Sequence, residues 1–125
     1  MKLVFTQKKN FIMELHNEIY RIKPDLILWY GWSNLVSEKV ISNFFSVMRH
    51  PSPLPKYRGG SPIQNQIING ETEGAVTIFK MNNEVDEGDI IYQDFLSLEG
   101  DLNKILNDIT EIGIELTKKM ILNTL

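Results

Sequence analysis

Two histidines, His16 and His50, are the only imidazoles in the chain, so acid–base chemistry at neutral pH has few places to sit. His16 lies beside Leu15 in an amphipathic stretch and reads as a solvated or half-packed helix residue. His50 follows the apolar run Phe44 to Met48 almost directly and precedes Pro51-Ser52-Pro53-Leu54-Pro55. A stiff proline turn at that point fixes the imidazole in place and leaves its ring free to meet a ligand. Asp86 and Asp89 flank Gly88 between two apolar runs. Asp and Gly are ordinary turn residues. A pairing of Asp86 with His50 would do more, favouring the charged imidazole and fixing its orientation. Two histidines with no recognisable spacing to the carboxylates do not make a metal site, and no metal is expected.

Lys56, Tyr57 and Arg58 form a small basic and aromatic group next to Gly59-Gly60. Glycines let a backbone approach a ligand closely, and an arginine can clamp a carboxylate or phosphate. The glycines do not lead into Gly-Lys-Ser/Thr, so this is no phosphate-binding P-loop, nor is it a dinucleotide fingerprint. Trp29, Tyr30 and Trp32 at a strand end can line a flat pocket, and core packing explains them equally well.

The elements that position these groups follow from apolar spacing. Residues 2–5 read as a short strand, and Phe11, Ile12, Leu15, Ile19 and Ile22 recur at helical spacing over 10–22. Residues 25–30 form a largely apolar strand of the buried parallel kind, broken by Gly31. Ser33 or Ser37 caps a short helix containing Leu35, Val36, Val40 and Ile41, and 44–48 is a second buried strand. Ser61 and Pro62 open a helix with Ile63, Ile67 and Ile68 inside, closed by Asn69-Gly70. Residues 75–81 and 90–95 are strands around a polar loop at 82–89. From Asp101 the stripe Leu102, Ile105, Leu106, Ile109, Ile112, Leu116 and Met120 predicts a helix covering the sheet, with a frayed last turn. Strands alternating with helices imply an α/β sheet with right-handed crossovers. The proline segment then sits at the carboxyl end of a strand, where open α/β sheets bind ligands.

The chain has 125 residues, enough for one domain, and a net charge of −3 without a basic stripe, so no nucleic-acid partner is expected. Apolar residues make up 42% and charged residues 23%, the balance of a folded domain. The longest apolar run, Leu26 to Tyr30, is far below the roughly eighteen residues of a membrane span, and no secretory leader is visible. The absence of cysteine excludes thiolate catalysis and disulfides and suits a cytoplasmic protein.

The stretch His50-Pro51-Ser52-Pro53-Leu54-Pro55-Lys56-Tyr57-Arg58-Gly59-Gly60-Ser61-Pro62-Ile63-Gln64 closely resembles the central signature of the tetrahydrofolate-dependent formyltransferases. The similarity continues through Ile67 to Glu73, Val76-Thr77-Ile78 and Met81, and closes on Val85 to Ile91. Pro24-Asp25-Leu26-Ile27 resembles the family's preceding strand. The resemblance implies a partial Rossmann-like α/β fold, a mostly parallel sheet with an antiparallel addition and a long C-terminal helix. It also implies formyl transfer from N10-formyltetrahydrofolate, as co-substrate, to a primary amine. His50 resembles the histidine that polarises the formyl oxygen, and Asp86 the aspartate that orients it and assists proton transfer. Tyr30, Gly31, Trp32, Val85 and Asp86 fall where the family surrounds the pterin. Arg58, Gly59, Gly60 and Gln64 fall on the acceptor side.

Two departures stand out. Met48 occupies the position where the family usually has an asparagine whose amide donates to the formyl oxygen, and a thioether donates nothing. Members of the family also carry a longer region before Pro24, so residues 1–125 read as a single catalytic domain lacking most of the usual N-terminal half. An exposed sheet edge tends to pair, which predicts a homodimer. No C-terminal extension long enough to bind tRNA is present, so the expected acceptor is a small amine, such as a nucleotide-linked amino sugar. The alternative is a catalytically weak or inactive binding module that keeps the fold.

Overall fold

The computed structural model describes residues 12–32 and 35–124; the strand expected at 2–5 and Ser33 lie outside the described residues. Helix α1 spans Ile12–Ile22 and buries Leu15 and Ile19, four residues apart on one face. It ends where Lys23 turns left-handed (φ 53°) and donates its N–H to the Ile19 carbonyl, 2.9 Å, just before Pro24. Strand β1 is only Ile27–Leu28, shorter than the apolar run that contains it. Helix α2, Glu38–Asn43, is capped by Ser37, whose hydroxyl accepts from the Val40 N–H at 3.2 Å; Leu35 and Val36 precede it. Strand β2, Ser46–His50, begins two residues later than expected and contains His50 as its last residue.

Helix α3 spans Pro62–Ile68, strand β3 Glu73–Lys80, strand β4 Ile90–Ser97 and helix α4 Leu102–Thr124. Two expectations about α3 fail. Ser61 is itself left-handed (φ 53°, ψ 46°) and makes no side-chain cap bond, and Ile67 and Ile68 are exposed while Gln66 is buried. The helix docks through an amide rather than through an apolar stripe. Helix α4 runs past Met120 without interruption, with Leu102 and Leu106 outside its buried face.

The sheet order is β1-β2-β3-β4. Its first pairing is parallel and the next two are antiparallel, so the described sheet is mixed rather than mostly parallel. The cause lies in the connections. α2 makes a parallel crossover from β1 to β2, whereas the proline segment and α3 return the chain to run β3 the opposite way, and a loop at 81–89 folds β4 back on β3.

Register splits the side chains of β2 between two faces. Val47 joins Val76, Ile78, Leu96 and the α4 residues Ile105, Ile109, Leu116 and Met120 in one core. Met48, opposite Phe79, packs with Trp29, Trp32, Leu15, Ile19 and Val40 in a second cluster. His50 is paired with Thr77 and projects on the Met48 side, because alternate strand residues share a face. Arg49 projects with Val47 towards α4.

The 81–89 loop is closed by the Lys80 N–H donating to the Asp89 carbonyl at 2.8 Å. A Cβ on Gly88 would lie 1.5 Å from the Lys80 carbonyl oxygen, so only glycine fits this crossing. Gly88→Ala is expected to cost at least about 1–3 kcal/mol through overpacking. At Gly60 nothing lies within 4 Å, and Gly60→Ala should stay within about 0.5 kcal/mol. Urea unfolding of both variants checks the contrast; equal midpoints would contradict it.

Candidate active site

Prolines 51, 53 and 55 have no N–H, so the segment leaving β2 cannot be held by a strand ladder, and its carbonyls need other donors. Side chains supply them. Gln66 Nε2 donates to the Pro51 carbonyl at 2.9 Å and to Pro62 at 2.8 Å. Thr77 Oγ1 donates to Ser52 O at 2.7 Å, and Gln93 Nε2 to Leu54 O at 3.1 Å and to Thr77 Oγ1 at 2.8 Å. Ser52 Oγ donates to Lys56 O at 2.7 Å, and His50 Nε2 to Tyr57 O at 2.7 Å. The strap is thereby fastened across the face of β2, β3 and β4 that carries His50.

Beneath the strap His50 is 6% exposed. The ring is therefore not free, contrary to the sequence expectation: Nε2 faces the Tyr57 carbonyl, and Nδ1 faces Asp86 Oδ2 at 3.5 Å. Since a carbonyl only accepts, Nε2 carries a proton. An ion pair with Asp86 then requires a second proton on Nδ1. Asp86 Oδ2 also accepts the Gly59 N–H at 2.9 Å, so one carboxylate oxygen joins the histidine, the strap and the 81–89 loop. Asp86 and Tyr57 both hold left-handed backbones (φ 53° and 59°). For Tyr57 that conformation is uncommon and costly, and it is kept by the contacts on either side. Its hydroxyl donates to Glu71 Oε1 at 2.9 Å.

A groove of about 230 Å³ opens beside this cluster, lined by Leu54, Pro55, Arg58, Asp86, Glu87, Gly88 and Ile90. Arg58 forms an ion pair with Glu87 at its rim. His50, Asp86, Gly59 and Arg58 are thus brought together. Gly60 and Gln64 are exposed; the Gly60 carbonyl accepts from Asn65 Nδ2 at 3.3 Å. Val85 is exposed beside Asp86.

The 30–32 segment is divided. Trp32 stacks edge-on with Trp29 (5.4 Å) in the Met48 cluster, and the indole N–H groups of both are buried without a partner among the described residues. Gly31 is exposed with φ 73°. Tyr30 turns to the α4 side of the sheet, where its hydroxyl bonds Thr117 Oγ1 at 2.8 Å. Burial pushes the Tyr30 phenol above its ordinary value, against the Thr117 hydrogen bond and the Arg49 charge, which pull it down. Among the described residues no group of three His, Cys, Asp or Glu side chains is placed to hold a metal ion.

Ser52, Gln66, Thr77 and Gln93, which carry the strap, were not singled out from the sequence. Their one sequence signal is a polar residue inside a run that otherwise reads as buried, as Thr77 does between Val76 and Ile78.

These features define an α/β domain that presents a histidine–aspartate pair at the carboxyl end of a strand under a proline strap. Residues 2–119 match the Formyl transferase family, and the chain belongs to it. The chain is 34% identical over 121 residues to a methionyl-tRNA formyltransferase of Hydrogenobaculum sp. (strain Y04AAS1), covering 94% of this chain and 39% of that protein. Phosphoribosylglycinamide formyltransferase from Streptococcus pneumoniae TIGR4 superposes with a TM-score of 0.81 at 22% identity, over 96% of this chain and 69% of that one. HypX from Aquifex aeolicus in complex with tetrahydrofolic acid superposes with a TM-score of 0.79 at 24% identity, over 93% and 20%. The last two likenesses establish the fold. The chain spans well under half the length of the curated relatives it matches.

Ser52→Ala removes the donor to a strap carbonyl and should cost about 1–3 kcal/mol, the usual penalty for an orphaned buried polar group. Asp86→Ala removes the acceptor of the Gly59 N–H. Hydrogen exchange should accelerate at Gly59 in Asp86→Ala while the β3 amides stay protected; unchanged exchange at Gly59 would show that Asp86 does not fasten the strap.

Proposed function

We propose that the chain transfers a formyl group from N10-formyltetrahydrofolate to the primary amine of a small acceptor. The observation that carries this reading is His50, held between the Tyr57 carbonyl and the Asp86 carboxylate at the end of β2, in a chain of the formyl transferase family. A structural neighbour that was solved with tetrahydrofolic acid supports a folate donor.

The chemistry matches these groups. Attack of the amine on the formyl carbon makes a tetrahedral carbon and places negative charge on the former carbonyl oxygen, where a preorganised N–H donor is most valuable. His50 supplies that donor once its Nε2–H exchanges the Tyr57 carbonyl for the formyl oxygen; the left-handed Tyr57 backbone makes the carbonyl a yielding partner. Asp86 holds Nδ1 and takes up the proton that the attacking nitrogen sheds. The folate nitrogen gains a proton as its bond to the formyl carbon breaks. Apo separations such as the 3.5 Å between Nδ1 and Oδ2 commonly tighten when substrate binds.

In finer detail, the acceptor is an amino sugar linked to a nucleotide, the chain acts as one catalytic domain in the cytoplasm, and two copies associate through the edge beside β1 that the described residues leave uncovered. A second reading, a binding module with little catalysis, is favoured by one observation: Met48 packs against the tryptophan cluster and offers no hydrogen-bond donor to a formyl oxygen.

Calorimetric titration with 5-formyltetrahydrofolate separates the two. The transferase reading expects micromolar binding that His50→Ala and Asp86→Ala weaken, and a fall of about 10²–10⁴ in single-turnover rate at saturating donor for Asp86→Ala with an amino-sugar acceptor. Binding without turnover leaves the module. No heat at millimolar donor overturns the folate reading. Sedimentation as a monomer at micromolar concentration overturns the dimer.

A further inference from the structure

Arg49 stands next to His50 in sequence but on the other face of β2. Its side chain runs between β2 and α4, with the guanidinium 5.8 Å from the centre of the Tyr30 ring. A Cβ on Gly113 would lie 2.8 Å from Arg49 Cδ and 3.2 Å from a guanidinium nitrogen, so a glycine in the middle of α4 makes the room this arginine occupies. Glycine in a helix interior costs about 1 kcal/mol against alanine, and half-burying a cation adds a desolvation cost. The contact with the Tyr30 ring offsets part of these costs but supplies no counter-charge. All sixteen Asp and Glu side chains of the chain are among the described residues. None of the ion pairs there includes Arg49, and its guanidinium donates no hydrogen bond to a described residue.

The neighbouring hydroxyl is not the missing anion. Tyr30 is neutral, its phenol held above the ordinary value by burial, and its hydroxyl is engaged with Thr117. What remains is a half-buried cation whose N–H donors meet no acceptor among the described residues, walled by an aromatic ring and a helix notch, at the carboxyl end of β2. That end is where an open α/β sheet binds its ligand, and a ligand lying across the strand ends can touch both faces at once.

We infer that Arg49 is a specificity-determining residue that binds an oxyanion, phosphate or carboxylate, on the acceptor whose amine reaches the His50–Asp86 pair from across the strand end. The inference rests on the formyl-transfer reading and adds the residue that reads the acceptor's charge. A guanidinium presents a planar fork of donors that suits either oxyanion, and Tyr30 and Gly113 position it rather than bind the ligand themselves.

The test uses three primary amines of similar length: O-phosphoethanolamine, β-alanine and ethanolamine. Each is titrated into the whole chain with and without saturating 5-formyltetrahydrofolate. Expected is a preference of about tenfold or more for the anionic amines over ethanolamine, the scale of one charge-assisted contact. The tighter of the two anionic amines identifies the oxyanion. Arg49→Gln is expected to abolish the preference and Arg49→Lys to keep part of it, which also covers the case in which the glutamine variant fails to fold. Equal binding of the three amines by the wild type, or a folded Arg49→Gln that keeps the preference, would overturn the inference. Donor binding without an anion preference removes this inference alone. An anion preference without donor binding removes the formyl-transfer reading and leaves Arg49 as an anion site.

Discussion

The arrangement depends on fastening a segment that cannot fasten itself. A chain with prolines at 51, 53 and 55 offers carbonyls but few N–H groups, so it joins neither a helix nor a sheet. Buried acceptors without partners would be expensive. The fold meets that demand with Gln66, Thr77, Gln93, Ser52 and His50, each donating to a strap carbonyl. Four of these five come from outside the strap, from β2, α3, β3 and β4, so the strap's path is set only once the sheet is assembled. His50 has two roles in consequence: it is a fastener of the strap and the group beside Asp86.

The strap and the 81–89 loop meet at one atom. Asp86 Oδ2 faces His50 Nδ1 and accepts the Gly59 N–H, while Gly88 lets the loop cross against the Lys80 carbonyl. A carboxylate shared in this way orients the imidazole and restrains the loop together, and disturbing either partner shifts the other. The exposed Arg58–Glu87 pair bridges the same two segments at the groove's rim, where solvent leaves such pairs little energetic weight.

Strand alternation then separates two chemistries within three residues of β2. Met48 and His50 face the strap and the tryptophan cluster, and Arg49 faces α4. The Met48 cluster is largely apolar and holds the indole N–H groups of Trp29 and Trp32, which have no partner among the described residues. Buried donors without acceptors are rare in folded proteins, and these two lie near the strand end that carries His50. Met48 itself offers no hydrogen-bond donor on that face.

Much of this protein was legible in its residues. Apolar spacing located α1, β3, β4 and α4 to within a few positions, because burial of one face imposes a period on the chain. The proline-rich signature and the Asp86-Glu87-Gly88-Asp89 turn identified the family and brought His50 and Asp86 forward as a pair. The sequence did not reveal which face each strand residue would take near its ends: β2 begins at Ser46 rather than Phe44, and that shift makes His50 a strand residue buried under the strap. Nor did it reveal that Gln66 rather than Gln64 would face inward, that Tyr30 would turn to Thr117, or that Gly113 would make room for Arg49. Local periodicity records how much apolar surface a segment must hide. The partner of a polar group is chosen by segments far apart in the chain, and only packing the sheet, the strap and α4 together brings those segments within hydrogen-bond reach.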